Sequence, residues 1–84
     1  MFLGRIIEEC EKTNLTGKRI KEARLKANLS QAQLSAKLET LAIYVCRGSI
    51  SRIENKERTV TDVEIDGISR TLNVSLDYLF GRTE

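Results

Sequence analysis

Arg47 and Arg52 stand five residues apart in the stretch from Cys46 to Lys56. Set on a helix at about 100° per residue, Arg47, Gly48, Ser51, Arg52 and Asn55 share one arc of about 140°. That arc is polar and cationic, with no side-chain bulk at Gly48. Ser49, Ile50, Ile53 and Glu54 fall on the opposite arc, which is apolar at both isoleucines. A guanidinium is a planar fork of donors, and the major groove of DNA admits a helix and offers guanine O6 and N7 as paired acceptors. An ordinary amphipathic surface helix has the same pattern, and helix geometry alone leaves both readings open.

Other chemistries are missing from the composition. The 84 residues contain no histidine, which removes a histidine general base, a histidine triad and a histidine metal site. Cys10 and Cys46 are the two cysteines. They are too few for a structural zinc site and too far apart for a Cys-x-x-Cys motif, so they read as reduced thiols. Gly17-Lys18 resembles the end of a phosphate-binding loop, but Lys12 and Arg19 stand where that motif needs glycine and Ser or Thr. A chain of this length forms one domain, too small for a deep catalytic cleft. An enzyme is therefore not expected, and neither is a cofactor, a metal or a small-molecule ligand.

Charge is unevenly distributed along the chain. Residues 16–58 hold ten Lys/Arg against four Asp/Glu, a net +6, whereas the whole chain is only +2. Residues 1–15 carry −1 and residues 59–84 carry −3. A basic block between acidic flanks attracts polyanions, nucleic acid first among them. A lysine-rich solvated face is the plainer explanation, and charge alone does not separate the two. No apolar run approaches the ~18 residues of a membrane span. Glu8, Glu9 and Glu11 argue against a secretory signal at the start. A cytoplasmic protein with no membrane contact is expected.

The elements that must position the arginines read as helices throughout. Leu3, Ile6, Ile7 and Cys10 recur at helical spacing, predicting a leading helix over Gly4 to Lys12. Thr16 is placed as the cap of a helix from Gly17 to Ala27, with Ile20, Ala23 and Ala27 on one face and Asn28 ending it. Ser30 and Gln33 form a capping box that opens a helix burying Leu34 and Leu38, and Thr61 and Glu64 form another. The second box opens a helix with Val63, Ile65, Ile68 and Leu72 inward and Asn73 at its end. Ser75 then caps a last turn or two with Leu76, Leu79 and Phe80 inward, closed by Gly81. The predicted fold is all-α: a compact bundle of five short helices with an extra N-terminal helix. Residues 1–15 form the leading helix and connector, 16–81 the domain, and 82–84 a tail.

Several short motifs then stand in order: Gly17-Lys18-Arg19-Ile20, Leu29-Ser30-Gln31, Leu34, the run Ile50 to Asn55, and the run Leu72 to Leu79. Together they resemble the helix-turn-helix family of phage repressors, Cro proteins and xenobiotic-response-element regulators. The resemblance spans about Thr16 to Gly81. It implies a lambda-repressor-like domain in which one helix crosses the DNA backbone and the next reads bases. By position, Gln31 would touch a phosphate at the start of the crossing helix. Arg47, Gly48, Ser51 and Arg52 would face base edges, and Asn55, Lys56 and Arg58 would approach phosphates beyond the reading helix. The helical wheel puts five of these residues on one exposed face independently. The implied function is a sequence-specific transcriptional regulator, a repressor occupying an operator on double-stranded DNA as a homodimer. The alternative is a protein-interaction module of the same fold, antitoxin-like or a regulator's partner, which would show exposed apolar residues where this helix shows arginines.

Three features depart from the family pattern. Eleven residues, Glu39 to Ser49, separate Leu38 from Ile50. This turn is longer than the family's usual one, and Leu41, Ala42, Ile43, Tyr44 and Val45 are expected to give it an apolar stem. Cys46 stands where Ser or Thr usually caps the reading helix, so some capping energy, typically ~1 kcal/mol, is expected to be missing. The leading helix lies outside the family core; packing on the domain is the first expectation for it, with a dimer contact or a plain connector as the alternatives. A further expectation concerns Glu54, which falls on the buried arc and needs a cation. Arg24 is the best placed, and in the resembling family the matching residues pair.

Overall fold

In the computed structural model, residues 14–82 can be described. The helix predicted over Gly4 to Lys12 lies outside them. Five helices follow in order: α1 (Gly17–Lys26), α2 (Gln31–Glu39), α3 (Arg47–Glu54), α4 (Asp62–Leu72) and α5 (Leu76–Leu79), with no strand among the described residues. The predicted all-α bundle of five short helices is what forms.

Local chemistry sets the helix boundaries. Ser30 Oγ accepts from Gln33 N at 3.0 Å while Gln33 Oε1 accepts from Ser30 N at 2.8 Å, and Thr61 and Glu64 repeat the arrangement at the start of α4. Ser75 Oγ accepts from Tyr78 N at 3.0 Å and caps α5. The C-termini share one device, a residue of positive φ closed by paired backbone bonds. It occurs at Asn28, Ala42, Lys56, Asn73 and Gly81. After α1, for example, Asn28 N donates to Leu25 O at 3.0 Å and Leu29 N to Arg24 O at 3.1 Å.

The start of α1 departs from the predicted cap. Thr16 makes no side-chain capping bond, and its Oγ1 is buried without a hydrogen-bond partner. Asn14 does the capping: its Oδ1 accepts from Thr16 N at 3.1 Å and Gly17 N at 2.7 Å. Its Nδ2 meanwhile donates to Ile53 O at 3.1 Å and Arg58 O at 2.8 Å. One side chain thus joins the start of α1 to the end of α3 and the loop beyond it. Gly17 sits so close to α3 that an added Cβ would overlap the Ile53 carbonyl oxygen.

Ile20, Leu34, Leu38, Ile50, Ile53, Ile68 and Leu79 are the fully buried large side chains. Four positions expected inward are exposed. Ala27 lies at the C-cap of α1, past the end of the packed stripe. Val63 stands two residues from Ile65, roughly 200° away around α4. Leu76 opens the four-residue α5 and Phe80 is its C-cap, and this short helix buries only Leu79.

Candidate nucleic-acid interface

Helix α3 presents the face that the wheel describes. Ile50, Ile53 and Glu54 are buried, whereas Arg47, Gly48, Arg52 and Asn55 are exposed and Ser51 is half-buried. Burial of the two isoleucines fixes the rotation of the helix, so the cationic residues are held outward. Nothing lies within 4 Å of where a Cβ would stand on Gly48, leaving that part of the face flat and open.

A buried polar cluster sets the direction of α3. Arg24 on α1 and Glu54 on α3 are 6% and 7% exposed. Arg24 Nε donates to Glu54 Oε2 at 2.7 Å and Arg24 Nη2 to Glu54 Oε1 at 3.1 Å, a bidentate pair that constrains angle as well as distance. The remaining Arg24 nitrogen, Nη1, donates to Leu29 O at 2.8 Å in the α1–α2 turn. Gln31, the first residue of α2, donates from Nε2 to Glu54 Oε1 at 3.1 Å. Three helices therefore meet at one carboxylate, and the expected Arg24–Glu54 pair is present.

The other candidate residues lie around this centre. Gln31 stands at the start of α2, half-buried, with part of its donor capacity given to Glu54. Together with Arg24, Ser30, Ala32 and Arg47 it lines an open pocket beside the N-terminus of α2, so Gln31 and Arg47 share one concavity. Lys56 adopts φ 62 just past α3; Lys56 N donates to Ile53 O at 3.0 Å and Glu57 N to Arg52 O at 2.8 Å. Arg58 is drawn the other way. Its Nη1 and Nη2 donate to the two Glu64 carboxylate oxygens at 2.9 and 2.8 Å, and Nη1 also donates to Thr59 O at 2.8 Å. The Arg58 hydrogen bonds hold the Glu64 carboxyl below its usual pKa, and the same bonds push the Arg58 guanidinium up. Six of the eight candidates thus lie on or next to α3, with Gln31 joined to it through Glu54, while Arg58 has its charge matched inside the domain.

Cys46 takes the N-cap position of α3 without a side-chain capping bond, as its residue type led one to expect. Its Sγ donates instead to Ser49 Oγ at 3.4 Å. When ionised, the sulfur accepts from the Ser49 hydroxyl and faces the backbone N–H groups of Ser49 and Gly48, which holds this exposed group below its ordinary pKa.

Sequence reasoning missed Asn14 and misjudged the long turn. Asn is a strong N-cap type, so Asn14 carried a signal, but Thr16 beside Gly17 was the nearer choice. The turn is not an apolar stem throughout: Val45 is buried and Ile43 packs on the core, whereas Leu41, Ala42 and Tyr44 are exposed. Among the described residues no helix is long and apolar enough to cross a membrane.

Compared with known protein families, the chain matches the helix-turn-helix family over residues 20–79, from Ile20 in α1 to Leu79 at the end of α5. Among curated proteins none matches.

Proposed function

The chain belongs to the helix-turn-helix family of DNA-binding regulators that includes phage repressors and xenobiotic-response-element proteins, and we propose that it is a cytoplasmic repressor that reads an operator with α3. The observation that carries this reading is the exposed Arg47–Gly48–Ser51–Arg52 face on a helix whose rotation is fixed by Ile50, Ile53 and the buried Arg24–Glu54 pair. Arg47 and Arg52 make bidentate contacts to base edges, each worth ~1–3 kcal/mol of discrimination. Gly48 lets the helix approach the groove, and Ser51 lies between the arginines. Gln31, Asn55 and Lys56 meet phosphates, which position the protein without reading sequence. Arg58, whose charge is matched by Glu64, contributes little to phosphate binding.

A domain this small covers too few base pairs to select one site, so two copies on a palindrome are required, with half-sites about 34 Å apart. Selection of bound duplexes from a randomised pool, followed by sedimentation of the complex, tests the proposal. A palindromic consensus carrying two chains per duplex is the expected result. Failure to enrich any sequence, with binding equal on all duplexes, would refute operator reading.

A further inference from the structure

The lengthened connection between α2 and α3 displays one residue that the candidate site does not include. Thr40 and Leu41 extend α2 by part of a turn, and Ala42 stops it at φ 61, with Ala42 N donating to Glu39 O at 2.9 Å and Ile43 N to Leu38 O at 3.0 Å. From there the side chains alternate in and out. Ile43 packs on the core, so near Gly67 that an added methyl there would overlap Ile43 Cδ1. Val45 is buried, and its carbonyl accepts from Ser35 Oγ at 2.7 Å. Tyr44, between these two anchors, is 76% exposed.

An aromatic ring is thus held in water on clamped backbone, two residues ahead of the N-cap of α3. No packing among the described residues accounts for it. One exposed aromatic is ordinary on a surface; it is the fixed place of this ring, just ahead of the exposed α3 face, that points to a contact. Its neighbours across a shallow groove are Ser35, Glu39, Cys46 and Ser49. Residues just ahead of a helix whose N-terminus enters the major groove approach the strand bordering that groove. Tyrosine is among the side chains that donate to phosphate oxygens, and its ring offers an apolar face to a sugar. Glu39 is the acidic member of the groove, which sets the contact at the tyrosine on the rim.

We propose that Tyr44 is a DNA-backbone contact, its hydroxyl donating to a phosphate and its ring lying on the adjoining deoxyribose beyond the N-terminus of α3. This rests on the DNA-reading function above and adds a neutral contact supplied by the longer turn. Because the phenol is uncharged, its contact releases no counterion.

The experiment compares Tyr44→Ala, Tyr44→Phe and Arg52→Ala on a duplex selected from a randomised pool and on its scrambled counterpart, across a salt series. Fluorotyrosine-labelled protein is followed in parallel by fluorine NMR, the Tyr44 resonance being assigned with Tyr44→Phe. Tyr44→Ala is expected to bind both duplexes roughly fivefold to tenfold more weakly, with an unchanged slope of log K against log salt and an unchanged melting temperature. Tyr44→Phe falls between it and the parent, and the Tyr44 resonance shifts when duplex is added. Binding by Tyr44→Ala within about twofold of the parent, with an unmoved resonance and with Arg52→Ala still losing its preference, overturns the Tyr44 contact and leaves the DNA-reading function standing. A resonance that moves with protein concentration alone puts a second copy of the chain at this site and also overturns it. A parent chain that binds no duplex refutes the DNA-reading function itself, and the Tyr44 contact with it.

Discussion

Gln31 donates to Glu54 Oε1 over 3.1 Å, the same oxygen that accepts from Arg24 Nη2. The residue at the head of α2 is therefore oriented by a carboxylate on α3. Loss of the carboxylate removes the acceptor that α1 and α2 share on α3, without removing any group proposed to touch DNA.

Arg24→Ala is expected to cost ~3–5 kcal/mol, because it leaves a buried carboxylate with only Gln31 as a side-chain donor. Glu54→Gln should cost less: the amide oxygen still accepts from Arg24, and Arg24 keeps its bond to Leu29 O. Urea unfolding of both variants checks the order. Both variants should also bind DNA more weakly than the parent under conditions where they remain folded.

The Arg58–Glu64 pair makes stability depend on pH. The Glu64 pKa is lowered in the folded chain, so its contribution is complete above the unfolded value and is lost as pH falls through the folded one. Arg58→Met is expected to be less stable than the parent by about 1 kcal/mol at neutral pH. The difference should shrink as the solution is acidified below the usual 4.5 of a free glutamate, down to what the Arg58–Thr59 bond contributes once Glu64 is protonated. Denaturation curves over a pH series would show the convergence; a difference independent of pH would contradict it.

Two glycines should respond oppositely. Gly17→Ala drives a methyl into the Ile53 carbonyl oxygen, where backbone must shift, and is expected to cost ~1–3 kcal/mol. Gly48 lies inside α3 with open space around it, so Gly48→Ala should stabilise the fold by ~0.5–1 kcal/mol. On the proposed function, a larger side chain there, as in Gly48→Leu, weakens DNA binding while the fold persists. Thermal melts and binding titrations on the same samples separate the two effects.

What the sequence made legible was local or periodic. Ser30–Gln33 and Thr61–Glu64 are capping boxes read over three residues, and Asn28 and Asn73 tolerate positive φ by residue type. The exposed face of α3 follows from the helical period, and Glu54 betrayed its need for Arg24 by falling among isoleucines. What stayed hidden depends on distant chain. Asn14 outcompetes Thr16 as the cap because its amide also reaches the carbonyls of Ile53 and Arg58, 39 and 44 residues away. Arg58 counted as one more basic residue until the fold set Glu64 opposite both ends of its guanidinium. Leu41 and Tyr44 counted as apolar, yet the positive φ at Ala42 turns the chain so that only Ile43 and Val45 face inward.

Base reading by α3 is tested by titrating Arg47→Ala, Arg52→Ala and Lys56→Ala on the selected duplex and on a scrambled one at several salt concentrations. Each arginine variant should lose ~1–3 kcal/mol on the selected duplex and much less on the scrambled one, because base contacts specify. Lys56→Ala should weaken both about equally and lower the salt slope by roughly one. Equal losses on the two duplexes for both arginine variants would contradict a reading role for α3 and leave it a cationic surface helix.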